Sequence, residues 1–303
     1  MDTQDAAASQ PIFIVSHART GSTLLRYLMD AHPEVCCPPE LALGRLCHAL
    51  AYTLGLTLAG DRGADTRPGG QSAVHAAVRS HLDPIMGAYC AARNKRRWCD
   101  KSSNNVEHLA VIDAVFPNAR YICLHRQCLD VVHSLIELFR YGFPGRYGQL
   151  VARSPDNVVD ALIDSWIEAA RALLDFEASH APRCFRLTYE DFVMNPAAMA
   201  ERMFSFLELP FDVRILDDVF SSPHEPGPGD LKIQHTSSIL QGRIGKGSTI
   251  PRGQISEHRL LEMNTLHGAL GYTQVGREGG VSFEQRLEVA ARASRRLERN
   301  QWG

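Results

Sequence analysis

A short polar run, His17-Ala18-Arg19-Thr20-Gly21-Ser22-Thr23, separates two apolar segments and carries residue types that hold an anion. Before it stands Pro11-Ile-Phe-Ile-Val-Ser16, rich in β-branched residues and read as a buried strand. After it, residues 24–30 (LLRYLMD) return to helical spacing. In such a strand–turn–helix, Gly21 lets the backbone approach an anion, and Ser22 and Thr23 supply N–H and hydroxyl donors. Arg19 adds a permanent forked charge. No lysine follows Gly21, so this is not the G-x-x-x-x-G-K-[ST] loop of nucleotide triphosphatases. One cradled phosphate, as in a nucleotide monophosphate or its sulfated anhydride, suits it better. The alternative is a helix N-cap that happens to contain glycine.

A second anion element lies further on. Arg126 ends the strand-like run 119–125, and Ser134 follows eight residues later, about two helical turns on. A guanidinium at the C-terminal edge of a parallel sheet, with a hydroxyl from the next helix, can grip a second phosphate. Read alone, these two residues are equally a surface ion pair and plain helix surface.

The elements that must position these groups alternate. Strands are expected at 11–16, 97–101, 119–125 and 184–188, with helices between them at about 24–30, 40–56, 71–93, 105–116, 127–140 and 155–179. A further helical stretch at 189–207 breaks at Pro196. The pattern predicts an α/β fold: a P-loop-type parallel sheet flanked by helices on both faces. Residues 221–252 are Gly/Pro/Ser-rich and aperiodic, as expected of a functional loop. We read residues 11–273 as one domain after a disordered N-terminus (1–10). Residues 274–303 form a C-terminal amphipathic tail, with Arg292, Arg295, Arg296 and Arg299 on one face of a helix over 282–301. That face is either solvated or a partner surface.

Composition narrows the classes. With 32 basic and 34 acidic residues among 303, the formal charge of −2 argues against nucleic-acid binding by bulk electrostatics. The longest apolar stretch, about residues 49–59, is too short to span a bilayer, and no secretory leader opens the chain. The eight cysteines form no C-x-x-C pair and no zinc spacing with histidine. All eight are therefore expected as reduced thiols in a cytoplasmic protein.

Several ordered motifs together resemble the sulfotransferases that use 3′-phosphoadenosine 5′-phosphosulfate, above all the protein-tyrosine sulfotransferases and their bacterial relatives. They are PIFIVSHARTGSTLLRYLMDAHPEVCCPPEL (11–41), Cys99-Asp100-Lys101, FPNARYICLHRQCLDVVHS (116–134), LTYEDFVMNP (187–196) and GRIGKGSTIP (242–251), covering most of residues 11–273. The resemblance implies the sulfotransferase fold, with residues 19–23 (Arg19, Thr20, Gly21, Ser22, Thr23) as the 5′-phosphosulfate loop. Arg126 and Ser134 would bind the 3′-phosphate, Tyr189 would contact the nucleotide, and Arg243 and Lys246 would close over it. Many relatives have Pro or Lys near the positions of Ala18 and Arg19, and Arg243 and Lys246 are equally read as ordinary loop charges.

Hormone-type sulfotransferases place a catalytic histidine soon after a lysine in a central segment. Here Lys101-Ser-Ser-Asn-Asn105 has none until His108. The tyrosine-sulfating branch uses a glutamate, and Glu40 stands at that position as the implied base. The alternative for Glu40 is a helix-N-terminal acid after Pro38-Pro39. Lys101 matches the lysine that steadies the departing phosphate; its alternative is an ion pair with Asp100 or Glu107. The implied product is adenosine 3′,5′-bisphosphate, with no metal, and a homodimer is compatible. The expected acceptor is a small-molecule or natural-product hydroxyl, free or carrier-tethered, selected by segments 41–70, 141–154 and 221–247. Rival readings are a P-loop kinase of a small metabolite and a non-catalytic nucleotide binder.

Overall fold

A computed structural model describes residues 10–59, 70–139, 145–225, 227, 233, 236–239 and 241–276. Five parallel strands run β1 (Ile12–Ser16), β2 (Val35–Cys36), β3 (Arg97–Lys101), β4 (Arg120–His125) and β5 (Cys184–Thr188), in the spatial order β2-β3-β1-β4-β5. On the central strand β1, Ile14 stands opposite Lys101 on one side and Ile122 on the other. Successive side chains of a strand point to opposite faces, so both faces of β1 must be apolar if both are covered. Ile12 and Ile14 enter one core with Leu28, Leu124, Leu187 and Phe204. Phe13 and Val15 enter the other, with Trp98, Phe116, Tyr121 and Cys123.

The first face is covered by α1 (Ser22–Ala31), α8 (Tyr189–Met194), α9 (Pro196–Phe206) and α10 (Ile215–Ser221). The second is covered by α2 (Leu43–Ala59), α3 (Gly70–Ala91), α4 (Leu109–Val115) and the C-terminal half of α7 (Val158–Ser179). A third cluster joins α5 (Cys128–Leu138) and α7 to α11 (Glu257–Leu270) through Leu129, Val132, Trp166 and Met263. The remaining helix, α6 (Gly145–Arg153), lies against α7. Helix starts follow side-chain caps: Gln127, Asn157, Thr188 and Ser256 each accept the N–H three residues on.

The fold is the expected one, with corrections in detail. Glu40 does not open a helix; α2 begins at Leu43, after a loop held from outside the chain's local sequence. The 155–179 helix starts at Val158, capped by Asn157. The two-residue strand β2 and the helices α6 and α11 carry too little pattern to be read from sequence. The N-terminus 1–9, the 60–69 loop and the tail helix over 282–301, with its arginine face, lie outside the described residues.

The cysteine expectation is overturned. Cys36, on β2, is disulfide-bonded to Cys90, near the end of α3, with Cα atoms 5.8 Å apart. The partners are 54 residues apart in sequence and meet only because α3 returns to the β2 edge. Cys37, Cys47, Cys99, Cys123, Cys128 and Cys184 are free thiols. A structural disulfide removes the thiol argument for a reducing compartment. Among the described residues, no helix is long and apolar enough to cross a membrane.

Candidate active site

The phosphate-type loop leaves the C-terminal end of β1 and is locked from within. Thr20 Oγ1 donates to the His17 carbonyl at 2.8 Å, so its hydroxyl points inward and not toward a ligand. His17 is buried with Nδ1 2.7 Å from the Ala18 oxygen and Nε2 2.8 Å from Ser165 Oγ on α7. Burial pulls its pKa down to about 4, so the ring is a neutral strut. Gly21, the N-cap of α1, has φ 94°, and a Cβ there would lie 2.4 Å from Tyr189 Cδ2. Glycine is thus required twice, by backbone conformation and by the ring of Tyr189.

The expected cations converge on this loop. Arg19 donates from Nε to Ser134 Oγ at 3.2 Å, joining two residues 115 positions apart. Arg126 donates to the carbonyls of Arg19 (3.0 Å) and Arg243 (2.9 Å), and its guanidinium lies 4.3 Å over the Tyr189 ring. Among the described residues, its Nε is buried without a hydrogen-bond partner. A buried guanidinium nitrogen left unmatched is a standing donor for an anion.

Between these groups is a cavity of about 120 Å³. Arg19, Gly21, Ser22, Thr23, Arg126, Ser134, Tyr189, Arg243 and Lys246 all line it. Of the residues expected to bind nucleotide, only Thr20 is absent from the wall. Phe220, Ile233 and Ile239 give one side an apolar lining.

Two acids the sequence reading missed hold this arrangement. Asp130, in the first turn of α5, accepts the N–H groups of Gly245 and Gly247, each at 2.6 Å. It thereby pins the loop bearing Arg243 and Lys246 against α5. Gly247 sits so close that a Cβ would be 2.3 Å from the Leu129 carbonyl carbon. Glu190 is buried behind Tyr189, accepting from Gln127 N (3.1 Å) and Tyr272 OH (2.9 Å), and burial raises its pKa to about 7 despite Arg126. The signal for Asp130 was one acid a turn after Arg126, which sequence alone reads as complementing the helix dipole.

Glu40 and Lys101 lie outside the cavity wall and meet each other. Lys101 Nζ is ion-paired with Glu40 Oε1, and Ser103 Oγ donates to Glu40 Oε2 at 3.2 Å. The lysine pairs with neither Asp100 nor Glu107; the latter is taken by Arg146. Lys101 is level with Ile14, two residues short of the end of β1. Among the described residues, no cluster of three or more His, Cys, Asp or Glu could hold a metal ion.

A family model described as "Sulfotransferase family" matches residues 11–213, more than half of the chain. The chain belongs to the sulfotransferase family. It is 26% identical over 210 residues to a putative protein-tyrosine sulfotransferase of Caenorhabditis briggsae, covering 68% of each chain. Against protein-tyrosine sulfotransferase A of Caenorhabditis elegans it is 26% identical over 209 residues, covering 68% of this sulfotransferase and 51% of the relative. The match thus spans only about half of some relatives. Among solved structures, the sulfotransferase domain from the curacin biosynthetic pathway superposes with TM-score 0.62 at 20% identity, covering 88% of this chain and 99% of that domain. The sulfotransferase domain of the Synechococcus PCC 7002 olefin synthase gives 0.60 at 22%, covering 87% and 95%. These likenesses establish the sulfotransferase fold.

Proposed function

We propose that this sulfotransferase moves a sulfuryl group from 3′-phosphoadenosine 5′-phosphosulfate to a hydroxyl acceptor by in-line displacement. The observation that carries the reading is the convergence of Arg19, Arg126, Ser134, Arg243 and Lys246 on one cavity, with Glu40 and Lys101 paired outside its wall. A donor with 5′ and 3′ anionic groups fits a wall that carries Arg19, Arg126, Arg243 and Lys246 and a buried guanidinium N–H with no partner among the described residues.

Glu40 takes the acceptor proton as the hydroxyl oxygen bonds to sulfur. The bond from sulfur to the bridging oxygen breaks, and its electron pair leaves with the phosphate as adenosine 3′,5′-bisphosphate. Lys101, Arg19 and the loop amides stabilise that growing charge, where fixed positive groups lower a barrier most. In the resting site Lys101 is held by Glu40. The leaving phosphate competes for Lys101, which frees the carboxylate to act as base. We place the acceptor among hydroxylated small molecules and carrier-tethered intermediates, with the tyrosine hydroxyl of the relatives' names as the comparison.

Titration calorimetry with adenosine 3′,5′-bisphosphate tests the donor site. Binding that weakens about 10- to 100-fold in Arg126→Ala is expected for a lost charge-assisted contact. No binding, or binding indifferent to Arg126, would overturn the donor assignment. Incubation with the donor and a panel of phenols, alcohols and tyrosine peptides then identifies the acceptor by the mass gain of one SO₃. Magnesium-dependent ATP consumption in its place would favour a kinase.

A further inference from the structure

The loop that carries Glu40 is fastened by a carboxylate that bonds to neither Glu40 nor the cavity. Asp100, beside Lys101 on β3, is 0% exposed. Its Oδ1 accepts from Ser102 Oγ at 3.0 Å and its Oδ2 from Asn105 Nδ2 at 2.7 Å. Each donor is a relay. Ser102, its hydrogen committed to Asp100, accepts the N–H of Ala42 at 2.9 Å. Asn105, its NH₂ turned to Asp100, offers Oδ1 to the N–H of Gly44 at 3.1 Å.

Ala42 and Gly44 flank Leu43, the first residue of α2, where backbone N–H groups have no intrahelical acceptor. Ala42 is held at φ 54°, a left-handed conformation that a non-glycine residue keeps only when its surroundings enforce it. Gly44 is in such close contact that a Cβ would lie 2.9 Å from Asn105 Oδ1. Glu40 is two residues upstream of this double anchor.

The direction of both relays is set by one group. An ionised carboxylate only accepts, so it forces Ser102 and Asn105 to donate inward and accept outward. We propose that Asp100 is the positioning residue for Glu40, fixing the 40–44 loop beside Lys101 through Ser102 and Asn105. The inference rests on the proposed role of Glu40 as base. Burial raises the Asp100 pKa to about 6, against Asn105, Ser102 and Lys101, which lower it, and with Glu40, which raises it. Both relays require the ionised form, which the bonds from Asn105 and Ser102 and the charge of Lys101 favour.

The test is a polarity swap. D100N replaces one acceptor oxygen by an NH₂ that must face either the Asn105 NH₂ or the Ser102 hydroxyl, so one of the two inward hydrogen bonds is lost. The exchange D100N/N105D puts the carboxylate second in line and again matches a donor to an acceptor at every step. Sulfuryl transfer from the donor to para-nitrophenol should show kcat reduced about 10- to 100-fold in D100N, as expected for a misplaced catalytic group. It should recover in the exchange variant, with KM for the donor unchanged throughout. Amide exchange of Ala42 and Gly44, which needs no acceptor, should accelerate in D100N and slow again in the double variant.

Wild-type kcat with slow exchange in D100N, or a double variant as impaired as the single one, would overturn the proposal. If D100N does not fold, Ser102→Ala cuts only the Ala42 relay; unchanged Ala42 exchange and unchanged kcat there overturn it equally. Wild-type protein that fails to bind adenosine 3′,5′-bisphosphate removes the proposed function itself. Normal bisphosphate binding with indifference to D100N removes only the role of Asp100.

Discussion

Lys101 and Glu40 form an unequal ion pair: the lysine side chain is 2% exposed and the glutamate 23%. The cation is buried, whereas the carboxylate still reaches solvent and accepts from Ser103. Removing one partner is therefore not equivalent to removing the other.

Glu40→Ala strands a buried ammonium, and Lys101→Met leaves a carboxylate that water can solvate. Breaking a buried pair by removing its counter-ion costs about 3–5 kcal/mol, and the partial exposure of Glu40 places this case at or below the lower end. Urea melts should show Glu40→Ala as less stable than Lys101→Met, with the double variant more stable than Glu40→Ala alone. Turnover in Glu40→Ala should fall about 10²-fold or more. Full turnover would refute its role as base.

Gly247→Ala sets a methyl group against the backbone of Leu129 (2.3 Å to C, 2.5 Å to O), which cannot yield as a side-chain end can. The Asp130 anchor of the 245–247 turn is lost with it. Thermal melts should register a loss of about 1–3 kcal/mol. Bisphosphate affinity should drop as Arg243 and Lys246 leave the wall. Gly253→Ala, which faces open space, is the control and should change neither.

Glu190 carries a raised pKa, about 7 against an ordinary 4.5, because it is buried. The sign follows from linkage: a carboxyl whose folded pKa lies above its unfolded one stabilises fully below about 4.5, and the benefit is lost as pH rises through about 7. Glu190→Gln keeps an acceptor for Gln127 N–H and removes the charge. Its melting temperature relative to wild type should rise between pH 5 and pH 8. A difference that stays flat with pH would show that Glu190 is not held in this way.

Cys90→Ser opens a loop of 54 residues in the unfolded chain. The expected loss is about 2–4 kcal/mol, seen as an earlier denaturant midpoint. Alkylation of unfolded, unreduced protein should label Cys37, Cys47, Cys99, Cys123, Cys128 and Cys184 but neither Cys36 nor Cys90. Labelling of all eight would exclude the bond.

The strands were legible wherever burial on both faces wrote a continuous apolar run, as in Ile12–Ser16 and Arg120–His125. Val35–Cys36 was not, because two residues have no period. The cation wall was legible because Arg19 and Arg126 follow the C-terminal ends of β1 and β4, which the fold sets side by side. Asp130, Glu190 and Asp100 were not, because each works through partners that are distant in sequence or indistinguishable from ordinary helix and strand polar residues. Asp130 meets Gly245 and Gly247, 115 and 117 residues away. The Cys36–Cys90 bond was hidden for the same reason.

The strand order divides the labour of the sheet edge. The cavity wall is built from β1, β4 and the segment after β5, whereas Glu40 and Lys101 come from β2 and β3 on the other side of β1. The two groups stand on opposite sides of one central strand, and Ile14 of that strand is level with Lys101 on one side and Ile122 on the other, so a change there reaches both. Exchange of the β2–β3 half for that of a relative must therefore also match the side chains that it packs against on both faces of the sheet.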